Sequence, residues 1–340
     1  MEKKIVAMRC TRQALIAAAL LFSIAASITR PHAQQAGVDL ETIQLRPDFW
    51  MIAGAGANIA VQAGPDGTVL VDAGSQEAAV RALPVITRLT DRPIRYIIDT
   101  SADPDHVGGN GALAKAGRSI FAAGPNVPLN EFARAMTNGF AATIVAFETV
   151  LLRMSAPTGK VAPFPSESWP VETFADRRRD IYFNQQGIQI FHEPAAHSEG
   201  DIVVFFRGSD VIAAGDVIDA TKLPMIDVDR GANVQGEIDA LNHIIELSVG
   251  PNPFPFQGGG TYIIPGHGRV YDRADVVEYR DMIVVIRDIV QDMIRQGMTL
   301  DQIKAAAPAR AYDQYGATSG AWTTDRFVEA VYRSLVATKS

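Results

Sequence analysis

Cysteine is almost absent: the 340-residue chain has one, Cys10. No disulfide can form within it and no cluster of thiolates can hold zinc, so a bound metal must rest on His, Asp or Glu. Basic clusters are scarce too. The one short run, "DRRRD" at 176–180, is flanked by its own acids, which argues against a nucleic-acid partner. Long apolar runs are confined to the N-terminus. "QALIAAALLFSIAASIT", Gln13–Thr29, follows Lys3, Lys4, Arg9 and Arg12 and precedes "RPHAQQ", with Ala33 as a small cut-site residue. That order is the pattern of a secretory signal peptide, and the run is short for a span of about 20 apolar residues. Residues 1–33 are therefore expected to be a signal peptide. The mature protein is expected to be periplasmic or secreted, without a stable membrane anchor.

Cys10 precedes the apolar run and is badly placed for lipid attachment, and its loss leaves a mature chain with no cysteine. The signal also carries five of the 31 basic and one of the 38 acidic residues, so the mature balance is 26 against 37, or −11. Residues 34–340 are expected to form one domain, whose own core must supply the stability that disulfides give many exported proteins.

What is present is a series of strand-like runs. "IQLRPDFWMIAG" and "NIAVQAGPDGTVLVDAG" alternate or run apolar, the latter broken by a Pro65-Asp66-Gly67 turn. "SQEAAVRALPVITRLT" predicts a helix with Ser75 as N-cap. "IRYII" reads as a strand buried on both faces, followed by a loop, a short helix near 109–116 and a strand "SIFAAG". Residues 129–154 read as a helix. Residues 155–176, rich in Pro and Ser, read as an irregular flap within the domain, with Phe164 and Trp169 as substrate walls. Further strands, with hairpin turns at Gln185-Gln186-Gly187 and Arg207–Asp210, lead to the helix "VQGEIDALNHIIELSVG", the strand "TYIIPGHG" and C-terminal helices. Hairpin-linked strands followed by helices, twice over, predict two packed sheets covered by helices.

Five histidines follow residue 33. His106, His197 and His267 each follow a strand-like run, as does Asp216 after "DVIAAG". One such residue is ordinary. Four of them at separated strand ends, with glycine beside Asp216 and His267 to let the backbone come close, point to a converging metal site. His243, inside an amphipathic helix, reads as structural or surface, and His192 as bonded to a neighbour. "AGAGAN", residues 53–58, lacks the Lys-Ser/Thr ending of a phosphate loop and reads as a flexible loop beside the site.

The ordered segments "GTVLVDAG", "IIDTSADPDHVGGN", "PAAHSEGDIVVFF", "VIAAGDVI" and "YIIPGHG" resemble the metallo-β-lactamase superfamily, from about Phe49 to Gly268. The resemblance implies an α/β fold, a four-layer αββα sandwich with metals at one edge of the two sheets. It implies a first metal position at 101, 103 and His197, and a second at Asp105, His106 and His267, with Asp216 bridging. The family's H-x-H-x-D-H loop stands here as Ser101, Asp103, Asp105 and His106. Two first-site histidines are thus replaced. Asp103 can still ligate but favours harder ions such as Mn or Fe, while a neutral Ser101 is a poor ligand. The first position is expected to be weak, empty or selective for a harder metal.

The expected cofactor is one or two divalent ions, zinc foremost. The expected activity is hydrolysis of an ester, lactone, amide or similar carbonyl in a small-molecule substrate. Hydroxide formed at the ion would attack, with Asp105 orienting the water as the catalytic residue. A nucleophilic role for Ser101 is disfavoured, since no G-x-S-x-G turn surrounds it. The alternative is a non-catalytic or metal-poor binding protein on the same scaffold. Against it, five ligand positions are kept while two change. The bland reading of Asp103 and Asp105 is that they cap the helix opening at Gly108-Gly109.

Overall fold

The computed structural model describes residues 39–120, 141–157, 159–250 and 259–337. The signal-peptide segment with Cys10, most of "SIFAAG" and the first part of the 129–154 segment lie outside these residues.

Seven strands form the first sheet in sequential order, β1 (Glu41–Arg46), β2 (Phe49–Ala53), β3 (Ile59–Gly64), β4 (Gly67–Val71), β5 (Ile94–Ile98), β6 (Thr143–Phe147) and β7 (Glu172–Phe174). The first four are antiparallel hairpins, and β4 through β7 pair in parallel. The second sheet has the order β12-β11-β10-β9-β8, made of β8 (Arg178–Phe183), β9 (Gln186–His192), β10 (Ile202–Phe206), β11 (Val211–Asp219) and β12 (Tyr262–His267). Only β12 joins it in parallel, against β11.

Each turn follows from its residues. Gly64 pairs with Gly67 across Pro65-Asp66, as the sequence indicates. The β8–β9 turn falls on Asn184-Gln185, both at positive φ (51° and 63°), one residue earlier than expected. Two left-handed residues make the turn whose twist matches a two-residue hairpin.

Three apolar layers hold the sandwich. Between the sheets, Phe49, Met51, Val69 and Ile98 meet Ile188, Ile202, Val204 and Phe206, all buried. Phe49 and Phe206 meet edge to face with ring centroids 4.9 Å apart. Outside the first sheet, α1 (Gln76–Leu89) and α3 (Asn110–Ala116) cover Leu70, Ile97 and Ile144. Ser75 caps α1 by accepting from Ala78 N. Outside the second, α5 (Val234–Leu247), α6 (Arg273–Arg295) and α8 (Thr324–Ala337) bury Ile238, Leu241, Ile283, Ile286, Phe327 and Val331. This is the αββα order implied above. No described helix is long and apolar enough to cross a membrane.

The 129–154 segment is corrected where it is described. Thr143–Phe147 is a fully buried parallel strand, and only Glu148–Met154 (α4) is helical. "TIVAF" is a short, continuous apolar run, which periodicity alone does not separate from a buried helix; its β-branched Thr, Ile and Val favour the strand. Within the expected flap, Glu172–Phe174 adds the edge strand β7. Ser119 and Ile120 are not in a strand.

Candidate metal centre

The parallel strand β5 ends at Ile98, and the chain turns through Asp99–Asp103 into the one-turn helix α2 (Pro104–Val107). Pro104 at the first helical position suits that start, since its missing N–H would be unpartnered anyway. Asp103 stands at the N-cap, yet its carboxylate makes no cap hydrogen bond, and neither does any side chain at the start of α3. The capping reading of these acids therefore does not hold. Ser101 is buried and its hydroxyl accepts from Asp103 N at 3.2 Å, a local turn.

Asp105 and His106 project from α2 towards the second sheet. His106 is wholly buried and fixed from behind, its Nδ1–H donating to Asp72 Oδ2 at 2.8 Å. Asp72 also accepts from Thr100 N (2.8 Å) and Thr100 Oγ1 (2.7 Å). This keeps a proton on Nδ1 and leaves His106 Nε2 facing forward, 3.1 Å from Asp216 Oδ1 in an ion-pair contact without hydrogen-bond geometry.

From the other sheet, β11 and β12 bring Asp216 and His267. Gly215 takes a left-handed φ of 55° with Thr100 packed against it; a Cβ there would lie 2.5 Å from Thr100 Oγ1. At Gly266 a Cβ would lie 2.5 Å from Asp216 Oδ1. Both glycines let the carboxylate reach the centre. His267 Nε2 lies 3.3 Å from Asp105 Oδ2 and 3.4 Å from Asp216 Oδ1.

The "AGAGAN" loop is not loose: Ala55 and Ala57 are fully buried. Ala57 N donates to Asp105 O, Asn58 N to Gly266 O, and Asn58 Nδ2 to Pro265 O and Gly268 O. It staples the Asp105 turn to the end of β12.

Asp105, His106 and His267 form one group whose donor atoms converge, and Asp103, His197 and Asp216 form another. All six residues expected from the sequence are brought together, and the two groups share Asp216. His106 and His267 are held protonated in the absence of an ion. Burial works against their charge, but Asp216 and Asp72 push His106 up, and hydrogen bonds to Asp105 and Asp216 push His267 up to about 9. Asp105, despite partial burial, sits below its usual range because of the His267 hydrogen bond and the charge of His106. Carboxylates holding protonated imidazoles, with His106 Nε2 aimed inward and in no hydrogen bond, form a donor set that a divalent ion would fit by displacing those protons. The pocket there, about 90 Å³, is lined by Asp103, Asp105, His197, Asp216, Lys222 and His267 among others. That is room for an ion and one or two waters at about 30 Å³ each.

The first group differs. His197 donates Nδ1–H to Met225 O (2.8 Å), and its Nε2 lies 2.6 Å from Asp103 Oδ2. With both nitrogens donating, it is an imidazolium. Burial opposes that charge, but the Asp103 hydrogen bond and nearby carboxylates lift its pKa to about 10. Asp103 is in turn gripped by Arg230, Nη1 to Oδ1 at 2.7 Å and Nη2 to Oδ2 at 3.2 Å. Burial pushes the Asp103 carboxyl up, and His197 and Arg230 together hold it well below the usual range. An ion here would have to displace the Arg230 guanidinium from Asp103 as well as a proton from His197.

Sequence reasoning missed Asp72 and Arg230. Asp72 has a signal, a left-handed φ of 62° at the end of a buried strand, but only the fold shows that it faces His106. His192 and His243 behave as expected: His192 Nε2 bonds Glu199 O at 2.9 Å while its ring stacks on Phe147, and His243 pairs with Glu193 at 2.5 Å. Beyond Asp105 lies a cleft of about 810 Å³, lined by Pro104, Ala112, Ile144 and Phe164 among others. Trp169 packs instead beside Val107, Ala146 and Met154.

Comparisons with known proteins bear on the family and the fold. Residues 53–267 match the family model of the metallo-beta-lactamase superfamily, and the chain belongs to that superfamily. Its members generally bind divalent metals and include hydrolases. A linear primary-alkylsulfatase from Pseudomonas sp. (strain ATCC 19151) is 23% identical over 260 residues, 70% of this chain and 47% of that protein. The chain thus spans about half the length of that relative. Among solved structures, the stereoselective inverting sec-alkylsulfatase Pisa1 from Pseudomonas sp. overlays with a TM-score of 0.59 at 15% identity, over 86% of this chain and half of that one. A metallo-beta-lactamase from Pontibacter korlensis overlays at 0.50 and 15% identity, over 72% of this chain and 99% of its own. At such identities the overlays speak for the fold alone.

Proposed function

We propose that the protein is an exported, metal-dependent hydrolase of small esters that works with an ion held by Asp105, His106, His267 and Asp216. The observation that carries this reading is the buried Nε2 of His106, fixed from behind by Asp72, aimed at Asp216 at 3.1 Å and making no hydrogen bond. A divalent ion bound there would act as a Lewis acid and lower the pKa of water towards neutrality.

The chain's own residues supply the rest. Asp105 lies on both the small pocket and the larger cleft, so its carboxylate can orient a water and accept its proton at Oδ2. Before an ion enters, His267 Nε2, 3.3 Å from that oxygen, keeps the carboxylate turned into the pocket. Asp72 keeps the His106 ring from turning. The apolar stretch of the cleft at Pro104, Ala112, Ile144 and Phe164 suits an alkyl or aryl body on the substrate. The alkylsulfatase names of the relatives add sulfate esters to the carboxylic esters, lactones and amides expected from the sequence. Zinc is the first metal to try, with manganese and iron next. Export to the periplasm or beyond rests on residues 1–33 alone.

The test is a hydrolysis panel of aryl acetates, lactones, anilides and alkyl sulfates, run on metal-loaded and metal-stripped protein. Turnover that needs the ion and falls at least a hundredfold in Asp105→Asn supports the reading. A folded, loaded protein that binds these compounds without turning any over would replace it with the binding-protein alternative.

A further inference from the structure

The two halves of the centre differ in what an incoming ion must displace. At Asp105, His106 and His267 it meets donor atoms that face one another and Asp216. At Asp103 it meets Arg230, whose guanidinium does not deprotonate in proteins. That charge is permanent and would repel a dication.

Arg230 is not a stray surface side chain. Its side chain is 17% exposed. Nε donates to Asp227 Oδ2 at 2.6 Å, while Nη1 and Nη2 fork onto the two oxygens of Asp103. Asp227 Oδ1 accepts from the backbone N–H of Asp229 and Arg230, both at 3.1 Å, so the carboxylate that aims the guanidinium is itself fixed by the same turn. Gly231, at φ 86°, closes the turn. Arg230 Nη2 also stands 3.2 Å from His197 Nε2. The guanidinium therefore contacts two of the three members of the first group, in the bidentate geometry that a carboxylate best satisfies.

We infer that Arg230 is the resident cation of the first position, a guanidinium standing in place of an ion, and that it limits this chain to one divalent ion. Ser101 and Asp103 then form a coherent set with it. Serine stabilises the turn where a ligand is no longer needed, and aspartate offers the two oxygens a guanidinium takes. Arg230 is a positioning residue: it holds Asp103, and through it His197, beside Asp216. The inference deepens the proposed function and rests on it only for the ion at the second position.

The test is metal stoichiometry of the full untagged chain, stripped with chelator, loaded with Zn²⁺ or Mn²⁺, desalted and measured by plasma mass spectrometry, with calorimetric titration beside it. Wild type is expected to hold one ion. Arg230→Ala, which frees Asp103 and His197, is expected to hold two, the second more weakly, with an added metal-dependent rise in melting temperature. Arg230→Gln keeps hydrogen-bonding capacity without the charge and is read the same way should the alanine variant not fold. Two ions in wild type would overturn the inference, as would one ion in both wild type and a folded variant. No ion in wild type but one in the variants would uphold Arg230's role while defeating the proposed function.

Discussion

Replacing Asp72 with asparagine isolates the least visible part of the centre. Asp72 is 2% exposed and accepts three hydrogen bonds, from Thr100 N, Thr100 Oγ1 and His106 Nδ1. Alanine would be uninformative. It would strand three buried donors at about 1–3 kcal/mol each and add about 1–2 kcal/mol for a left-handed φ, together a large part of a typical 5–15 kcal/mol stability. Asparagine keeps the shape and tolerates positive φ. Its carbonyl can still take Thr100 N, and the threonine hydroxyl can rotate to accept from the amide NH₂. That NH₂ then faces His106 Nδ1. The imidazole must move its proton to Nε2, the atom an ion needs. Losses at such supporting partners run about 10–100-fold in metal affinity, or about 1.4–2.8 kcal/mol at 1.36 kcal/mol per factor of ten. Chelator competition on wild type and Asp72→Asn measures it, with thermal melts of the stripped proteins as the folding control. A folded variant with metal affinity within twofold of wild type would refute the tautomer reasoning.

Three further outcomes follow from the same structure. Metal uptake should release protons at pH 7.5, since His106 and His267 are both pushed towards their protonated forms, and affinity should rise with pH through the His267 value of about 9; calorimetry in two buffers of different ionisation enthalpy counts them, and release of none would contradict the protonated state. The same raised values stabilise the stripped protein below the unfolded histidine value of about 6.5, a contribution lost as pH rises through about 9. Phe206→Ala removes a fully buried ring packed edge-on to Phe49, and denaturant unfolding should show a loss of about 3–5 kcal/mol; a loss under about 1 kcal/mol would mean the inter-sheet core repacks.

The legible parts of this protein were those whose signals are local or repeated. His106, His197, Asp216 and His267 could be picked out because each follows an apolar run, and the structure gathers the three histidines around Asp216, which lies within β11 rather than at its end. The resemblance gave the layer order. What stayed hidden depends on distance in the chain. Asp72 lies 34 positions before His106 and Arg230 lies 127 after Asp103, and neither residue type at such a position suggests its partner. The "AGAGAN" loop looked flexible because glycine permits motion, yet its neighbours Asp105 and Gly266 bury it and take its amides. "TIVAF" looked helical because a strand buried on both faces has no alternation to read.

The most direct measurement is anomalous X-ray diffraction at the zinc edge from crystals of the wild-type chain grown with zinc. One peak is expected within ligand distance, about 2.0–2.2 Å, of His106 and His267 nitrogens and of Asp105 or Asp216 oxygens, with the Arg230 guanidinium still on Asp103. A peak between Asp103 and His197, or none at His106, would contradict the account at its centre.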